Sequence, residues 1–188
     1  AMYNMIFYAN TVIEGVMEAR ADVTTDSREQ LLAEAYCLRA FVHFDLINLY
    51  AKWYDPATAA TDKAVPLSLK IDIGQSFIPT TVEKVYEQVF ADLQEAEKYM
   101  QVEQQTGAYL YRFSKKALKA FQARVYLYHQ DWKQAQETAE SLLAACPLED
   151  LTTTEAQPWT YTSKEAILAL ETVSSTCLLY TSDAADEL

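Results

Sequence analysis

Residues 114–147 read SKKALKAFQARVYLYHQDWKQAQETAESLLAACP, and this stretch decides the fold class. Apolar side chains recur at helical spacing on both sides of a short polar break, and a proline closes the stretch. Ser114 and Asp131 stand where the two helices would begin, and their side-chain oxygens can accept hydrogen bonds from free backbone N–H groups. The pattern therefore predicts two consecutive helices joined by a tight turn.

The spacing within this pair is that of the tetratricopeptide repeat, a helical hairpin of about 34 residues. Small residues in such a hairpin let its two helices approach closely, and aromatic residues pack beside the turn. The residues at the repeat positions are Ala123, Tyr126, Trp132, Ala135, Ala139, Leu142 and Pro147. Leu142 is larger than the usual alanine, and Trp132 is expected to pack within the hairpin.

Three earlier helices are predicted from the same apolar spacing. They are predicted over about residues 2–20, from Ser27 to Tyr50, and from Thr80 to Met100. Ser27 with Gln30, and Thr80 with Glu83, have the form of capping boxes. The other side of the second helix is apolar too, so we expect that helix to lie at the centre of the core; the residues on that side are Tyr36, Phe41, Phe44 and Ile47.

The fold class that follows is all-α, since helix exceeds half of the chain and strand signals are nearly absent. We expect tetratricopeptide-like helical hairpins that form a right-handed helical repeat scaffold. About three repeats are needed to bury the faces of such a scaffold. Helices two and three are a candidate second hairpin, with its turn expanded by the loop over residues 51–79. Two hairpins and one further helix predict that the scaffold is incomplete.

Composition excludes several classes of function. The 188 residues include 15 basic and 27 acidic side chains, a net charge of −12, so nucleic acid and anionic lipid are poor partners. Only three glycines are present, and none are clustered, which excludes phosphate-binding loops and dinucleotide fingerprints. Cys37, Cys146 and Cys177 lack the spacing of a metal site, and His43 and His129 lack ligand partners. We expect no metal and no cofactor.

The end of the chain differs in character from the rest. Residues 177–188 read CLLYTSDAADEL and follow neither a helical nor a strand period. The string resembles a translated sequencing adaptor, so we interpret it as an artefactual tail. The chain then consists of a helical domain over residues 1–176 and that tail over 177–188.

Four stretches of the chain resemble a known family when they are taken in order. They are YNMIFYANTVIEGV (3–16), AEAYCLRAFVHFDLINLYA (33–51), TTVEKVYEQVFADLQEAEKYM (80–100), and SKKALKAFQARVYLYHQDWKQAQETAESLL (114–143) followed by SKEAILALE (163–171). Together they are similar to the N-terminal part of the SusD/RagB family, surface glycan-binding lipoproteins of Bacteroidetes outer membranes. Residues 1–176 would then be an N-terminal SusD-like fragment.

This resemblance implies a protein without catalytic residues that captures oligosaccharide or polysaccharide noncovalently. It also implies delivery of the glycan to a SusC-like TonB-dependent transporter at the surface of the outer membrane. The family's signal peptide and lipidated cysteine are not found in the sequence, so we expect membrane attachment only through a lipid anchor missing from this fragment. The alternative is a generic tetratricopeptide-type scaffold that binds protein or peptide, and a helical glycoside hydrolase is a third hypothesis.

Candidate ligand residues lie at the start of a long loop over residues 51–79. Trp53, Tyr54 and Asp55 combine aromatic faces, which stack on sugar rings, with a carboxylate that can bind hydroxyl groups. The alternative for Trp53 is that it covers the end of the hydrophobic core. A second candidate aromatic pair is formed by Trp159 and Tyr161.

One charged residue is expected to have a structural role. Arg39 lies within an apolar helix, where an unpaired charge would be costly. We expect it to form a buried ion pair, with Asp45 or Glu34 as candidate partners.

Overall fold

A computed structural model describes residues 2–19, 27–72, 74, 77–146, 148, 152, 163 and 165–170. Five α-helices are present in this part of the chain: α1 (Met2–Gly15), α2 (Arg28–Tyr50), α3 (Val82–Tyr99), α4 (Lys115–Tyr128) and α5 (Trp132–Ala145). A short 3-10 helix spans Gly107–Tyr109. Over the described residues, β pairing is limited to one isolated bridge between Lys63 and Thr81. The prediction of an all-α fold is confirmed.

Three predicted helix starts have the expected caps. The side-chain oxygens of Ser27, Ser114 and Asp131 each accept a hydrogen bond from the backbone N–H three residues later. Each cap satisfies one of the N–H groups that a first helical turn leaves without a partner. These starts depend on local chemistry, which explains why the sequence predicted them.

The predicted cap of α3 is wrong by one residue. Thr81 caps this helix, and its hydroxyl accepts a hydrogen bond from the N–H of Lys84. Thr80 does not cap the helix because its backbone pairs with the preceding loop. Its carbonyl accepts a hydrogen bond from the N–H of Ala64 at 2.7 Å. A contact distant in sequence therefore overrides the local capping pattern.

The first helix is shorter than predicted. It ends at Gly15, and a turn over residues 16–18 follows it. Glycine loses more conformational freedom in a helix than any other residue, which favours an end at this position.

The second helix lies at the centre of the molecule, as predicted. It packs against α1 on one side and α3 on another, while α4 packs against α3 and α5. Phe41 and Phe44 of α2 also reach Phe121 of α4, with ring centroids 5.3 and 5.5 Å apart. Cys37 and Cys146 are buried, as expected for small core residues.

The hairpin of α4 and α5 forms, but one of its residues is not where the repeat pattern predicts. Ala135 is buried against α4, whereas Trp132 is 61% exposed. The prediction that Trp132 packs in the hairpin is wrong, because α5 contacts α4 and buries only Ala135. Pro147, which closes the pattern, lies outside the described residues.

The buried ion pair of Arg39 forms with a partner other than the two candidates. Its guanidinium makes two hydrogen bonds to Asp92 of α3, at 2.6 and 2.9 Å. Glu34 instead pairs with Arg112, with a shortest distance of 2.9 Å. Asp92 was not predictable because it lies on another helix, 53 residues away along the chain.

No helix in the described part of the chain has both the length and the apolar composition needed to cross a membrane.

Candidate functional site

The candidate site lies in the first part of the long connection between α2 and α3, which we call the Trp53 loop (residues 51–62). Asp55 shapes it: the carboxylate accepts a hydrogen bond from the N–H of Ala57, and the carbonyl accepts from the N–H groups of Thr58 and Ala59. Ala59 is buried, and its carbonyl accepts from the N–H of Glu83 at 3.0 Å. The loop is therefore a compact turn that is docked against the start of α3.

Trp53 projects from this loop and is 84% exposed. The hypothesis that it covers the end of the core is therefore wrong. It borders an open depression of about 500 Å³. The residues that line the depression are Ala51, Lys52, Trp53, Asp55, Thr58 and Asp62. Two of the three residues predicted at the loop, Trp53 and Asp55, thus share one concave surface.

Tyr54, the third predicted residue, has a different position. Its half-buried ring lies 4.0 Å from that of His129 and 5.2 Å from that of Tyr86, measured between centroids. Desolvation by burial raises the pKa of the Tyr54 hydroxyl, with smaller contributions from Glu83 and Glu87. Tyr54 covers the end of the core in the place proposed for Trp53, and it fixes the loop to α3 and α4.

The polar side of the depression is preorganised by Asp62. One carboxylate oxygen accepts from the ammonium group of Lys52, and the other accepts from the hydroxyl of Thr58, both at 2.6 Å. These two hydrogen bonds lower the pKa of Asp62, the one from Lys52 contributing most. The site therefore presents an ionised carboxylate, a cation and a hydroxyl beside an exposed indole.

This combination is suited to a sugar. A pyranose has an apolar face that can stack on an indole, and hydroxyl groups at its edge that can donate to carboxylates and accept from ammonium or hydroxyl groups. Lys52, Thr58 and Asp62 were not predicted from the sequence. The spacing of Thr58 and Asp62, four residues apart within a turn, is the signal that could have revealed them.

The second predicted aromatic pair, Trp159 and Tyr161, lies outside the described residues.

A separate apolar groove of about 490 Å³ runs between α4 and α5. Its lining residues are Ala123, Arg124, Leu127, Tyr128, Trp132, Ala135, Gln136 and Ala139. Leu127 and Tyr128 are each 50% exposed. The groove differs from the depression at Trp53 because most of its lining is apolar, although Arg124 and Gln136 border it.

Within the described residues, no cluster of three or more His, Cys, Asp and Glu side chains could hold a metal ion. Every buried side-chain nitrogen and oxygen in that part of the chain has a hydrogen-bond partner.

The sequence matches a known family over most of its length. The family of SusD-like proteins described as starch-binding and associating with the outer membrane matches residues 1–127. A SusD-like protein from Formosa agariphila is 32% identical over 147 residues, which cover 76% of this chain and 25% of that protein.

Solved structures share the fold. A SusD-like carbohydrate-binding protein from Bacteroides vulgatus aligns with a TM-score of 0.72 and 22% identity, covering 89% of this chain and 35% of that one. A SusD superfamily protein from Bacteroides fragilis aligns with a TM-score of 0.63 and 26% identity, covering 75% and 33%. The chain thus spans about a quarter to a third of the length of these relatives.

Proposed function

Because this chain belongs to the SusD-like family of starch-binding proteins that associate with the outer membrane, we propose that it captures oligosaccharide noncovalently at the Trp53 loop. Proteins of this family bind carbohydrate and are not enzymes. The proposed role is therefore binding without turnover.

The observation that carries this proposal is the exposure of Trp53 on a loop whose backbone is fixed. An indole that is 84% exposed beside Asp55 and Asp62 offers a stacking face and hydroxyl acceptors in one depression. Because the turn is already ordered by its own hydrogen bonds, binding need not order the backbone, which lowers its entropic cost. The proposed ligand contacts are Trp53 and Asp55, with Lys52, Thr58 and Asp62 on the polar side, whereas Tyr54 supports the loop.

The proposal includes a place in nutrient uptake. We propose that the helical domain over residues 1–176 acts at the cell surface and passes its glycan to a SusC-like TonB-dependent transporter. We propose that the protein is attached to the outer membrane through a lipid anchor. Trp159 and Tyr161 remain proposed as a second pair of ligand contacts.

Calorimetric titration with a panel of soluble neutral oligosaccharides and polysaccharides tests the proposal. We expect saturable binding to at least one glycan, with the glycan recovered unchanged in length. Trp53→Ala should weaken that binding by at least about fivefold, since removing one ring face and the indole surface from water contributes at least about 1 kcal/mol.

Trp132→Ala is the matched control, because it removes a second exposed tryptophan outside the depression. It should leave glycan affinity unchanged. Equal affinity of the wild-type chain and Trp53→Ala for every glycan bound would contradict the site. Shortening of the glycan, abolished by a single carboxylate substitution, would favour a glycoside hydrolase.

The groove between α4 and α5 favours a second candidate function, a scaffold that binds protein or peptide. Its small residues, Ala123, Ala135 and Ala139, leave space between apolar walls, and an amphipathic helix could place its apolar face there. If the groove binds peptide, Trp132→Ala should be the variant that weakens binding and Trp53→Ala should be the control. Trp132→Ala would abolish binding of a helical peptide, and Trp53→Ala would not change it.

A further inference from the structure

We infer that Gln130, in the turn between α4 and α5, is a positioning residue that holds the Trp53 loop in its binding conformation. The part of this inference that concerns affinity rests on the proposed glycan function. The part that concerns the order of the loop does not, and it can be tested without any ligand.

The backbone of Gln130 is in an unfavourable conformation. Its φ of 64° lies in the left-handed region, and over the described residues no other residue except Gly107 has a positive φ. A side chain with a Cβ costs of order 1–3 kcal/mol there, whereas glycine adopts the conformation freely. The turn itself therefore favours glycine at this position.

The side chain of Gln130 makes a hydrogen bond that glycine could not make. Its amide N–H donates a hydrogen bond of 2.6 Å to the carbonyl oxygen of Tyr54. The side chain is otherwise exposed and contributes nothing to the hydrophobic core. The strained conformation is thus associated with one specific contact, and that contact is with the Trp53 loop.

The position of this contact explains its effect. Tyr54 lies between Trp53 and Asp55. The peptide group that contains its carbonyl is planar, so holding the carbonyl oxygen in place also restricts the orientation of the neighbouring backbone. The adjacent residue of the turn, His129, packs against the Tyr54 ring, with centroids 4.0 Å apart and the ring planes tilted by 38°. One turn therefore holds Tyr54 by both its backbone and its ring, while Trp53 stays exposed.

The test is Gln130→Gly in the full chain, because this change removes the hydrogen bond and relieves the backbone strain together. The melting temperature should stay the same or rise. Hydrogen exchange of a peptide covering residues 51–62, measured by mass spectrometry, should become faster, since Thr58, Ala59, Thr61 and Asp62 donate backbone hydrogen bonds inside the turn. Affinity for a glycan bound through Trp53 should fall by about 2- to 10-fold, the range for one hydrogen bond.

Two further variants sharpen the test. Gln130→Asn tolerates the left-handed conformation but has a shorter side chain, so it should also accelerate exchange in residues 51–62. Gln134→Ala removes an exposed glutamine side chain of α5 that bonds to Glu137 of its own helix. It should change neither the exchange of the loop nor the affinity.

The outcomes separate this inference from the proposed function. Unchanged exchange of residues 51–62 in Gln130→Gly would overturn the inference, whether or not any glycan binds. A lower melting temperature in Gln130→Gly would also overturn it, because the residue would then serve the stability of the hairpin. If Trp53→Ala leaves glycan binding intact, the proposed site fails, while faster exchange still supports the positioning of the loop by Gln130.

Discussion

The two halves of the connection between α2 and α3 are held in opposite ways. The first half, the Trp53 loop, satisfies its hydrogen bonds mainly within its own turn and presents side chains to solvent. The second half, residues 65–72, lies against α1 and α2 without regular secondary structure. There, side chains of the helices hold its backbone.

The contacts of the second half come from polar residues of the first two helices. The Asn10 amide donates to the carbonyls of Ser68 and Lys70, both at 3.2 Å, and Arg39 donates to the carbonyl of Leu69. Asn10 is completely buried and Arg39 is 6% exposed. Since buried backbone carbonyls need partners, these side chains allow an irregular segment to lie on the core.

The difference shows how one connection serves two purposes. In the second half, polar side chains are buried and removing one leaves its partners without hydrogen bonds, so we expect large effects on stability. In the first half, Trp53 is exposed and we expect effects on binding alone.

The largest effect is expected from Arg39→Met. The substitution leaves the carboxylate of Asp92 buried without its cation, and breaking a buried pair in this way costs about 3–5 kcal/mol. Urea unfolding of the full chain measures the change. The control is Lys133→Ala, which breaks the exposed pair with Glu137 and should cost less than about 0.5 kcal/mol. Similar losses for the two variants would contradict the contrast.

A pH-dependent effect is expected from His43. Burial lowers the pKa of His43 to about 4, and its Nδ1 lies 3.0 Å from the carbonyl oxygen of Arg39. In the unfolded chain the pKa is about 6.5. Above about pH 6.5 His43 is neutral in both the folded and the unfolded state, so the free energy of unfolding is not reduced by its protonation. Between about pH 6.5 and 4 only the unfolded state gains a proton, so the free energy of unfolding should fall by roughly 1.4 kcal/mol per pH unit.

Urea unfolding of the wild-type chain and His43→Gln between about pH 7 and 5 isolates this contribution. The variant should lose less stability on acidification than the wild type does. His129 also has a pKa lowered by burial, opposed by Asp131, and acts in the same direction. His129→Gln provides the comparison. Parallel pH profiles for the wild type and His43→Gln would show that His43 does not titrate as expected.

The smallest effect on stability is expected from Trp53→Ala. The side chain is 84% exposed, so its removal creates no cavity and should change the free energy of unfolding by less than about 0.5 kcal/mol. Urea unfolding again measures this change, beside the loss of glycan affinity predicted for the same variant. A loss above about 2 kcal/mol would mean that Trp53 belongs to the core, and the two halves of the connection would no longer differ.

The sequence predicted the parts of the fold that depend on neighbours along the chain. Ser27, Ser114 and Asp131 cap helices through hydrogen bonds that span three residues, so their chemistry is visible in a short window. Thr80 failed as a cap because its backbone pairs with Ala64, which lies outside any such window. Asp92 was missed as the partner of Arg39 for the same reason.

The candidate site was predictable only in outline. Trp53, Tyr54 and Asp55 stood out as aromatic and acidic residues at the start of a long loop, but adjacency in sequence does not show which side chain turns inward. The structure places Tyr54 against His129 and leaves Trp53 in solvent. Asp62 also bonds to Lys52, 10 residues away, and Gln130 bonds to Tyr54, 76 residues away, so neither contact is visible in a short stretch of sequence.

The amino-acid sequence by itself determined that this protein is all-α, where three of its helices are capped, and which family its motifs resemble. Those properties follow from periodicity and local hydrogen bonding, which act over a few residues. The tertiary structure alone decided which residues satisfy Arg39 and Asn10, which ring of the loop is buried, and what holds that loop in place. Burial and pairing depend on groups that folding brings together from distant positions, and a linear pattern does not record their separation in space.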